Sequence, residues 1–297
     1  MKLKYRENNS FKIIQMTDLH IGSFPHAEDD YKTFNLIDKA IRKLDADLLV
    51  ITGDLIWTDG VKNPDKIFKE LIDRINKHDI PVAIVYGNHD SEESINRDDL
   101  RKMEKNIKNL VEKKNSYIIN GRENYCVEIY DKYGEKIENV LYLFDSGADA
   151  PLSIGIYDWI QPEQIEWFRE VSKNYKRDSG KRDMVFMHIP IPEYWEAMKH
   201  IISGECNETN DTISAPYINT GLFASLYING QIDAVFSGHD HDNNFVGIHH
   251  GIRLCYGNIT GYQCYGDLPR GVRVIELNNK NNGYRMETIT IADEDIR

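Results

Sequence analysis

The chain has 297 residues, 41% of them hydrophobic, which is enough to bury the core of one large domain. Its formal charge of -12 argues against a duplex nucleic-acid partner, because such partners are held by many lysine and arginine contacts to phosphates. There is no apolar run of about 18 residues that could span a membrane. There is also no secretory signal in the first fifteen residues, so a soluble, cytoplasmic protein is expected.

The four cysteines, Cys126, Cys206, Cys255 and Cys264, are too few and too scattered for a disulfide framework. No two of them have the Cys-x-x-Cys spacing of a zinc or redox site. They are interpreted as free thiols, and pairing of Cys255 with Cys264 across a loop is left open.

Strand-like and helix-like segments alternate along the first ninety residues. Short runs rich in Val, Ile, Leu and Phe predict buried strands at 12–17, 47–52, 81–86, 140–145, 184–187 and 232–237. Apolar residues recur at helical spacing in the two connections between the first three of these strands. They are Phe34, Ile37, Ile41 and Leu44 in the first connection, and Ile67, Phe68, Leu71 and Ile75 in the second. A further helix is predicted to open at Pro162. This order predicts an α/β fold.

Shorter, glycine-punctuated strands are predicted in the C-terminal third, at 245–248, 252–256, 272–277 and 284–291. They are expected to complete a second sheet of mixed or antiparallel strands. No repeat, low-complexity tract or linker divides the chain, so residues 1–297 are predicted to form a single domain. The segment around 190–230 is the predicted insertion or lid, because its middle is polar and rich in turns.

Five short segments carry polar side chains directly after strand-like runs. They are Asp18-Leu19-His20, Gly53-Asp54, Gly87-Asn88-His89-Asp90, His188 and Gly238-His239-Asp240-His241. The carboxyl ends of parallel strands meet at one edge of a sheet, so these segments are expected to converge on one site. Residues two apart point the same way in an extended chain. Asp18 and His20 can therefore reach one ion, as can His239 and His241.

The remaining side chains complete a predicted metal site. Asp54 has two oxygens that could bridge two ions, and His188 supplies a further imidazole. Asn88 offers an amide oxygen, while its neighbour His89 faces the substrate. Oxygen and nitrogen ligands without a thiolate favour Mn, Fe, Zn or Co.

A count of charges indicates the substrate class. Two divalent ions with the carboxylates of Asp18 and Asp54 and a bridging hydroxide leave a charge of about +1, which favours binding of a phosphate. In the predicted reaction the bridging hydroxide attacks phosphorus and His89 protonates the leaving oxygen.

Other interpretations exist for individual residues. A single histidine is more often a surface or core residue than a ligand, but five of the ten histidines fall in these segments. The second predicted catalytic residue, Asp90, is either a helix N-cap before 91–96 or a group that orients His89. Several aromatic residues either pack in the ordinary way or form a stacking surface for an aryl or nucleobase leaving group. These are Tyr194, Trp195, Tyr217, Tyr262 and Tyr265.

The order of the five segments, from Asp18 to His241, resembles the calcineurin-like metallophosphoesterase superfamily. The resemblance implies a four-layer α-β-β-α sandwich with two mixed β-sheets and a dinuclear centre at the strand ends. It also implies two ligand sets that share one carboxylate. One set is Asp18, His20, Asp54 and His241, and the other is Asp54, Asn88, His188 and His239.

Departures from the family pattern indicate which branch of the family the chain resembles. Trp57 stands where purple acid phosphatases have a metal-binding tyrosine, and those enzymes lack a counterpart of His20. The Asp-Arg-Gly of serine/threonine phosphatases is absent after Asp54. The chain resembles the non-purple branch related to purple acid phosphatases in three further segments, 144–147, 161–164 and 256–266.

The function predicted from the sequence is that of a phosphoesterase that uses two Mn, Fe or Zn ions. Its substrate would be small and phosphorylated, and a phosphomonoester is preferred. The alternatives are a phosphodiesterase or a nucleotide or nuclease-type hydrolase of the same fold, and a non-catalytic metal-binding scaffold. No duplex nucleic acid and no membrane is expected as a partner.

Overall fold

The computed structural model describes residues 2–22, 24–92, 94–150, 153–177, 180, 182–209, 212–280 and 283–297. Its helices are α1 (Glu28–Lys43), α2 (Pro64–Ile75), α3 (Arg97–Glu104), α4 (Pro162–Lys173), α5 (Tyr194–Ala197) and α6 (Leu222–Asn229). Its strands are β1 (Leu3–Lys4), β2 (Ser10–Met16), β3 (Leu48–Thr52), β4 (Val82–Val85), β5 (Lys114–Ile119), β6 (Arg122–Tyr130), β7 (Ile137–Phe144), β8 (Asp183–Phe186), β9 (Ile201–Ser203), β10 (Ile232–Ser237), β11 (Val246–His249), β12 (Ile252–Tyr256), β13 (Gly271–Lys280) and β14 (Gly283–Ala292).

The strands form two mixed sheets. The smaller sheet has the order β14-β13-β2-β3-β4, in which β2, β3 and β4 are parallel and β13 is antiparallel to β2. The larger sheet has the order β1-β6-β7-β8-β10-β12-β11-β9, with β5 paired to β6. In this sheet β7, β8, β10 and β12 are parallel, so both sheets have a parallel centre.

Alternating side chains along the strands build three apolar layers. Ile13 and Ile14 are adjacent on β2, yet Ile13 packs between the two sheets whereas Ile14 packs under the helices, because successive side chains of a strand point to opposite faces. Helices α1 to α3 cover the smaller sheet, and α4 to α6 cover the larger one. The four-layer α/β sandwich expected from the family resemblance is therefore confirmed.

The expectation that the C-terminal third completes one sheet is wrong. Strands β11 and β12 belong to the larger sheet, whereas β13 and β14 belong to the smaller one, where β13 pairs along β2 with Ile13 opposite Ile275. Strand periodicity shows which face of a strand is buried but not which strand is its partner. The hairpin of β5 and β6 was not predicted, because charged and amide side chains interrupt its apolar pattern.

The 190–230 segment contributes to the framework of the larger sheet. It contains α5, β9 and α6, and β9 extends the sheet by pairing with β11. Ile213 and Ala215, in the loop before α6, are buried. Its role as an insertion or lid stays a prediction.

Two smaller expectations concern thiols and membranes. Cys255 and Cys264 are not joined by a disulfide, so the alternative in which they pair is wrong. Among the residues that the structure describes, no helix is both long enough and apolar enough to cross a membrane. The compartment stays a prediction.

A buried arginine links the two sheets. The side chain of Arg273, on β13, is 1% exposed. Its Nε donates to the carbonyl oxygen of Tyr256 at 2.6 Å, and its Nη2 donates to that of Asn244 at 2.5 Å. Tyr256 ends β12 in the opposite sheet. Two buried carbonyls near the carboxyl end of the larger sheet therefore depend on one guanidinium.

Arg273→Met is expected to lower the free energy of unfolding by about 2 to 4 kcal/mol, because it leaves two buried carbonyl oxygens without donors. Urea denaturation monitored by circular dichroism measures this change. The control is Arg285→Met on the neighbouring strand β14, where the side chain is 74% exposed and little change is expected. Equal stability of the two variants would contradict the role given to Arg273.

Candidate metal centre

The predicted ligands follow the carboxyl ends of five parallel strands. In the smaller sheet, Asp18 and His20 follow β2, Asp54 follows β3, and Asn88 follows β4. In the larger sheet, His188 follows β8, and His239 and His241 follow β10. Because the two sheets are stacked with these ends at the same edge, all seven side chains meet, and all are buried.

One group of donor atoms surrounds His188. Its Nε2 lies 3.1 Å from Oδ2 of Asp54, 3.1 Å from Oδ1 of Asn88 and 3.3 Å from Nδ1 of His239. The Nδ1 of His188 donates to the carbonyl oxygen of Thr52 at 2.8 Å, so Nε2 is the nitrogen that faces the other donors.

A second group surrounds His20. Its Nε2 lies 3.2 Å from Nε2 of His241 and 3.5 Å from the same Oδ2 of Asp54. The Nε2 of His241 is 3.5 Å from Oδ1 of Asp18. One oxygen of Asp54 therefore belongs to both groups of donors.

The spacing of these donors fits metal coordination. Two donors that are each about 2.1 Å from one ion, at an angle of about 90° to 110°, lie about 3.0 to 3.4 Å apart. These residues therefore fit two ions that share Asp54.

Burial and neighbouring charges shift the pKa values of several donors. Burial lowers the pKa of His20 and of His239 to about 3, which leaves both imidazoles neutral. Burial acts to raise the pKa of Asp18, but a hydrogen bond with His241 and the charge of His188 outweigh it and lower the value to about 2. For His188, burial acts to lower the pKa, but the charge of Asp54 outweighs it and raises the value to about 9. The buried carboxylates thus attract positive charge.

Backbone hydrogen bonds tie each carboxylate to a distant segment. Oδ1 of Asp54 accepts from the backbone N–H of His89 at 2.9 Å, which leaves Oδ2 for the shared position. Both oxygens of Asp18 accept from the backbone N–H of His239, at 3.1 Å each. The two carboxylates therefore fix the loops that carry the other donors.

The loops adopt backbone conformations that most residues avoid. Asp18, His20, Asp54 and His239 have φ values of 54°, 45°, 51° and 83°. Non-glycine residues in this region cost about 1 to 3 kcal/mol each, and such strain is concentrated at functional sites. The surrounding tertiary structure must therefore hold these four side chains in place.

Two glycines of the motifs allow the segments to approach each other. A Cβ added to Gly53 would lie 2.5 Å from the ring of His188. A Cβ added to Gly87 would lie 2.2 Å from Oδ1 of Asp54. Each glycine therefore leaves room for a donor from a different segment.

His89 lies beside the donors and lines a cavity of about 400 Å³. Its Nδ1 is 2.7 Å from Oε1 of Glu92, and its ring stacks on Trp57 with centroids 4.2 Å apart. The other carboxylate oxygen of Glu92 accepts from the backbone N–H of Asp59 at 2.9 Å. Glu92 was not predicted, because only the short helical turn at Asn88–Ser91 brings it back to the imidazole.

Asp90 is not the N-cap of the next helix, and its role as a group that orients His89 stays a prediction. The helix after this segment begins at Arg97 and is capped by Asn96, so Asp90 is not its N-cap. Its carboxylate accepts from the backbone N–H groups of Leu55, Ile56 and Gly87 at 2.8, 3.0 and 2.7 Å. The side chain is fully buried and joins two loops, whereas Glu92 is the residue that contacts the imidazole of His89.

A buried ion pair supports the loop that carries Asn88 and His89. Nε of Arg97 donates to Oδ2 of Asp145 at 3.0 Å, and its Nη2 donates to the carbonyl oxygen of Gly87 at 2.8 Å. Ser146 Oγ accepts from the backbone N–H of Ile189, next to His188, at 2.9 Å. Asp145 and Ser146 were noted in the sequence only as a similarity to one branch, and Arg97 was not singled out.

Of the five aromatic residues considered as a stacking surface, Tyr265 lines the cavity. Its ring stacks on His241, with centroids 4.2 Å apart and planes 26° apart. Tyr194 is a packing residue, since it is fully buried and its hydroxyl oxygen lies 3.1 Å from the carbonyl oxygens of Val235 and Cys255.

Comparisons with known proteins agree with this geometry. Residues 11–243 match the family described as calcineurin-like phosphoesterase. The chain is 30% identical to the Arabidopsis thaliana protein named probable inactive purple acid phosphatase 14, over 95% of this chain and 79% of that protein. It is 27% identical to phosphatase DCR2 of Saccharomyces cerevisiae, over 99% of this chain and 56% of that protein.

A similar fold occurs in the crystal structure of a dimetal phosphatase from Danio rerio. The TM-score is 0.63 at 13% identity, covering 94% of this chain and 98% of that one. The family match spans most of the chain and includes all five ligand-bearing segments up to His241. This chain belongs to the calcineurin-like phosphoesterase family.

Proposed function

We propose that this protein is a phosphoesterase that uses two metal ions and acts on phosphate monoesters. The observation that carries this proposal is the position of Oδ2 of Asp54, which lies within 3.5 Å of His20 Nε2 in one donor group and 3.1 Å of His188 Nε2 in the other. A shared carboxylate oxygen holds two ions close enough to act on one phosphoryl group.

The proposed ligand sets follow from these distances. Asp18, His20 and His241 would hold one ion together with Asp54, and Asn88, His188 and His239 would hold the other with the same carboxylate. The donors are oxygens and nitrogens, which suits Mn, Fe or Zn. When bound, two such ions activate water at neutral pH and neutralise charge on the phosphoryl oxygens.

His89 is proposed to protonate the leaving oxygen as its bond to phosphorus breaks. The carboxylate of Glu92 accepts the Nδ1–H of His89, so Nε2 is the nitrogen that carries the transferable proton. The indole of Trp57, stacked on the ring, limits its rotation.

Two alternative functions are considered for the same centre. A phosphodiesterase or nucleotide hydrolase would use the same centre, and the charge of -12 counts against a duplex substrate. The second alternative is a non-catalytic scaffold that binds metal. The name of one relative, probable inactive purple acid phosphatase 14, is consistent with this alternative. The presence of all seven donors and of His89 with its carboxylate partner favours an enzyme.

His89→Asn is expected to lower kcat for an alkyl phosphate by about 100- to 10,000-fold, because the alkoxide must leave without a proton. The loss should be much smaller for 4-nitrophenyl phosphate, whose phenolate leaves readily. Steady-state kinetics on both esters and elemental analysis provide the measurement. The control is His200→Asn, at an exposed position. Unchanged turnover of the alkyl ester with a normal metal content would contradict the proton-donor role.

Asp54→Ala is expected to reduce the metal content more than Asp18→Asn or Asn88→Ala does. Asp54 would bind both ions, so its variant should keep about none, whereas each of the other two should keep about one of two. Elemental analysis after dialysis measures this, and a chelator should abolish turnover of the wild type. Two bound ions with no turnover of any phosphoester would favour the scaffold. Equal metal loss in all three variants would overturn the shared role of Asp54.

A further inference from the structure

The cavity beside the donor groups has walls made of rings. Five rings follow one another along it, with centroids 4.2 Å apart from Trp57 to His89, 5.2 Å from His89 to His20, 5.0 Å from His20 to His241 and 4.2 Å from His241 to Tyr265. The three imidazoles belong to the proposed centre. The indole and the phenol, at the two ends, have no part in the proposed mechanism at phosphorus beyond the stacking on His89.

Hydrogen bonds hold both outer rings by their polar ends. The indole N–H of Trp57 donates to the carbonyl oxygen of Asp59 at 3.0 Å, and the hydroxyl of Tyr265 donates to Oε1 of Glu208 at 2.8 Å. Tyr265 is 57% exposed although one of its faces lies on His241. The opposite face is therefore open to solvent and already oriented.

Within the described part of the chain, the side chains that line the cavity offer no acidic or basic group other than the imidazoles. Among the described residues that line it there is no lysine, arginine, aspartate or glutamate. Its volume of about 400 Å³ is within the range of sites for small ligands. Beyond the imidazoles, the lining consists of the two aromatic rings, an amide, a thiol and a glycine. Such walls favour a flat, uncharged group.

We propose that this cavity is the leaving-group site and that it selects a phosphate ester whose leaving group carries an uncharged aromatic ring. The inference rests on the proposed function, because the two ions must hold the phosphoryl group at the inner end of the cavity. The ring of the ester lies against the open face of Tyr265, where offset stacking adds to the apolar contact. An aliphatic group of similar size gains the contact but not the stacking.

The test compares the affinities of two phosphonates for the Mn²⁺-loaded protein by isothermal titration calorimetry. Benzylphosphonate and cyclohexylmethylphosphonate have the same charge and nearly the same size, and only the first has a flat ring. Benzylphosphonate is expected to bind about fivefold more tightly. Tyr265→Leu should reduce this ratio to about one, whereas Tyr265→Phe, which keeps the ring, should preserve it.

Controls separate this inference from the proposed function. Methylphosphonate reports the metal centre alone, so each affinity is divided by that for methylphosphonate in the same variant, which removes any effect of Tyr265→Leu on His241, where the ring stacks. Tyr227→Leu, at an exposed tyrosine outside the cavity lining, should leave the ratio unchanged. Equal affinities for the two larger phosphonates, with normal binding of methylphosphonate, would overturn the aromatic site alone. No binding of any of the three phosphonates would overturn both proposals.

Discussion

Two carboxylates, Asp18 and Asp54, are buried where the two sheets meet, and the architecture of the centre depends on satisfying them. Removing a carboxylate from water costs several kcal/mol unless partners compensate. Here the compensation comes from imidazoles and from backbone N–H groups of His89 and His239. Each such hydrogen bond joins a segment of one strand end to the segment of another. The electrostatic requirement of the carboxylates therefore also determines the positions of the loops.

The centre exists only when the two sheets are packed together. The smaller sheet supplies both carboxylates, His20 and the amide of Asn88, whereas the larger sheet supplies His188, His239 and His241. Neither sheet alone supplies all the donors of either group. The apolar layer between the sheets and the guanidinium of Arg273, which crosses that layer, are thus conditions for the function as well as for stability.

In the short turn Gly87-Asn88-His89-Asp90, three consecutive side chains make different contacts. Asn88 directs its amide oxygen at the donors, and His89 directs its imidazole at the cavity. The buried carboxylate of Asp90 accepts hydrogen bonds from three backbone N–H groups. Arg97 donates a hydrogen bond to the carbonyl oxygen of Gly87 and so supports the turn. The backbone of this turn is consequently held by several hydrogen bonds, while the imidazole of His89 lines the cavity.

The sequence alone determined the family resemblance, the alternation of strands and helices, and the residues that form the two donor groups. It could do so because these features are local: an apolar run predicts a strand, and a polar residue after it marks the strand's end. Only the tertiary structure decided that β13 pairs with β2, that Glu92 is the partner of His89, and that Asp90 and Arg97 support the loops. These contacts join residues whose side chains approach through a turn or from distant segments, so their geometry arises from packing, which no local pattern encodes.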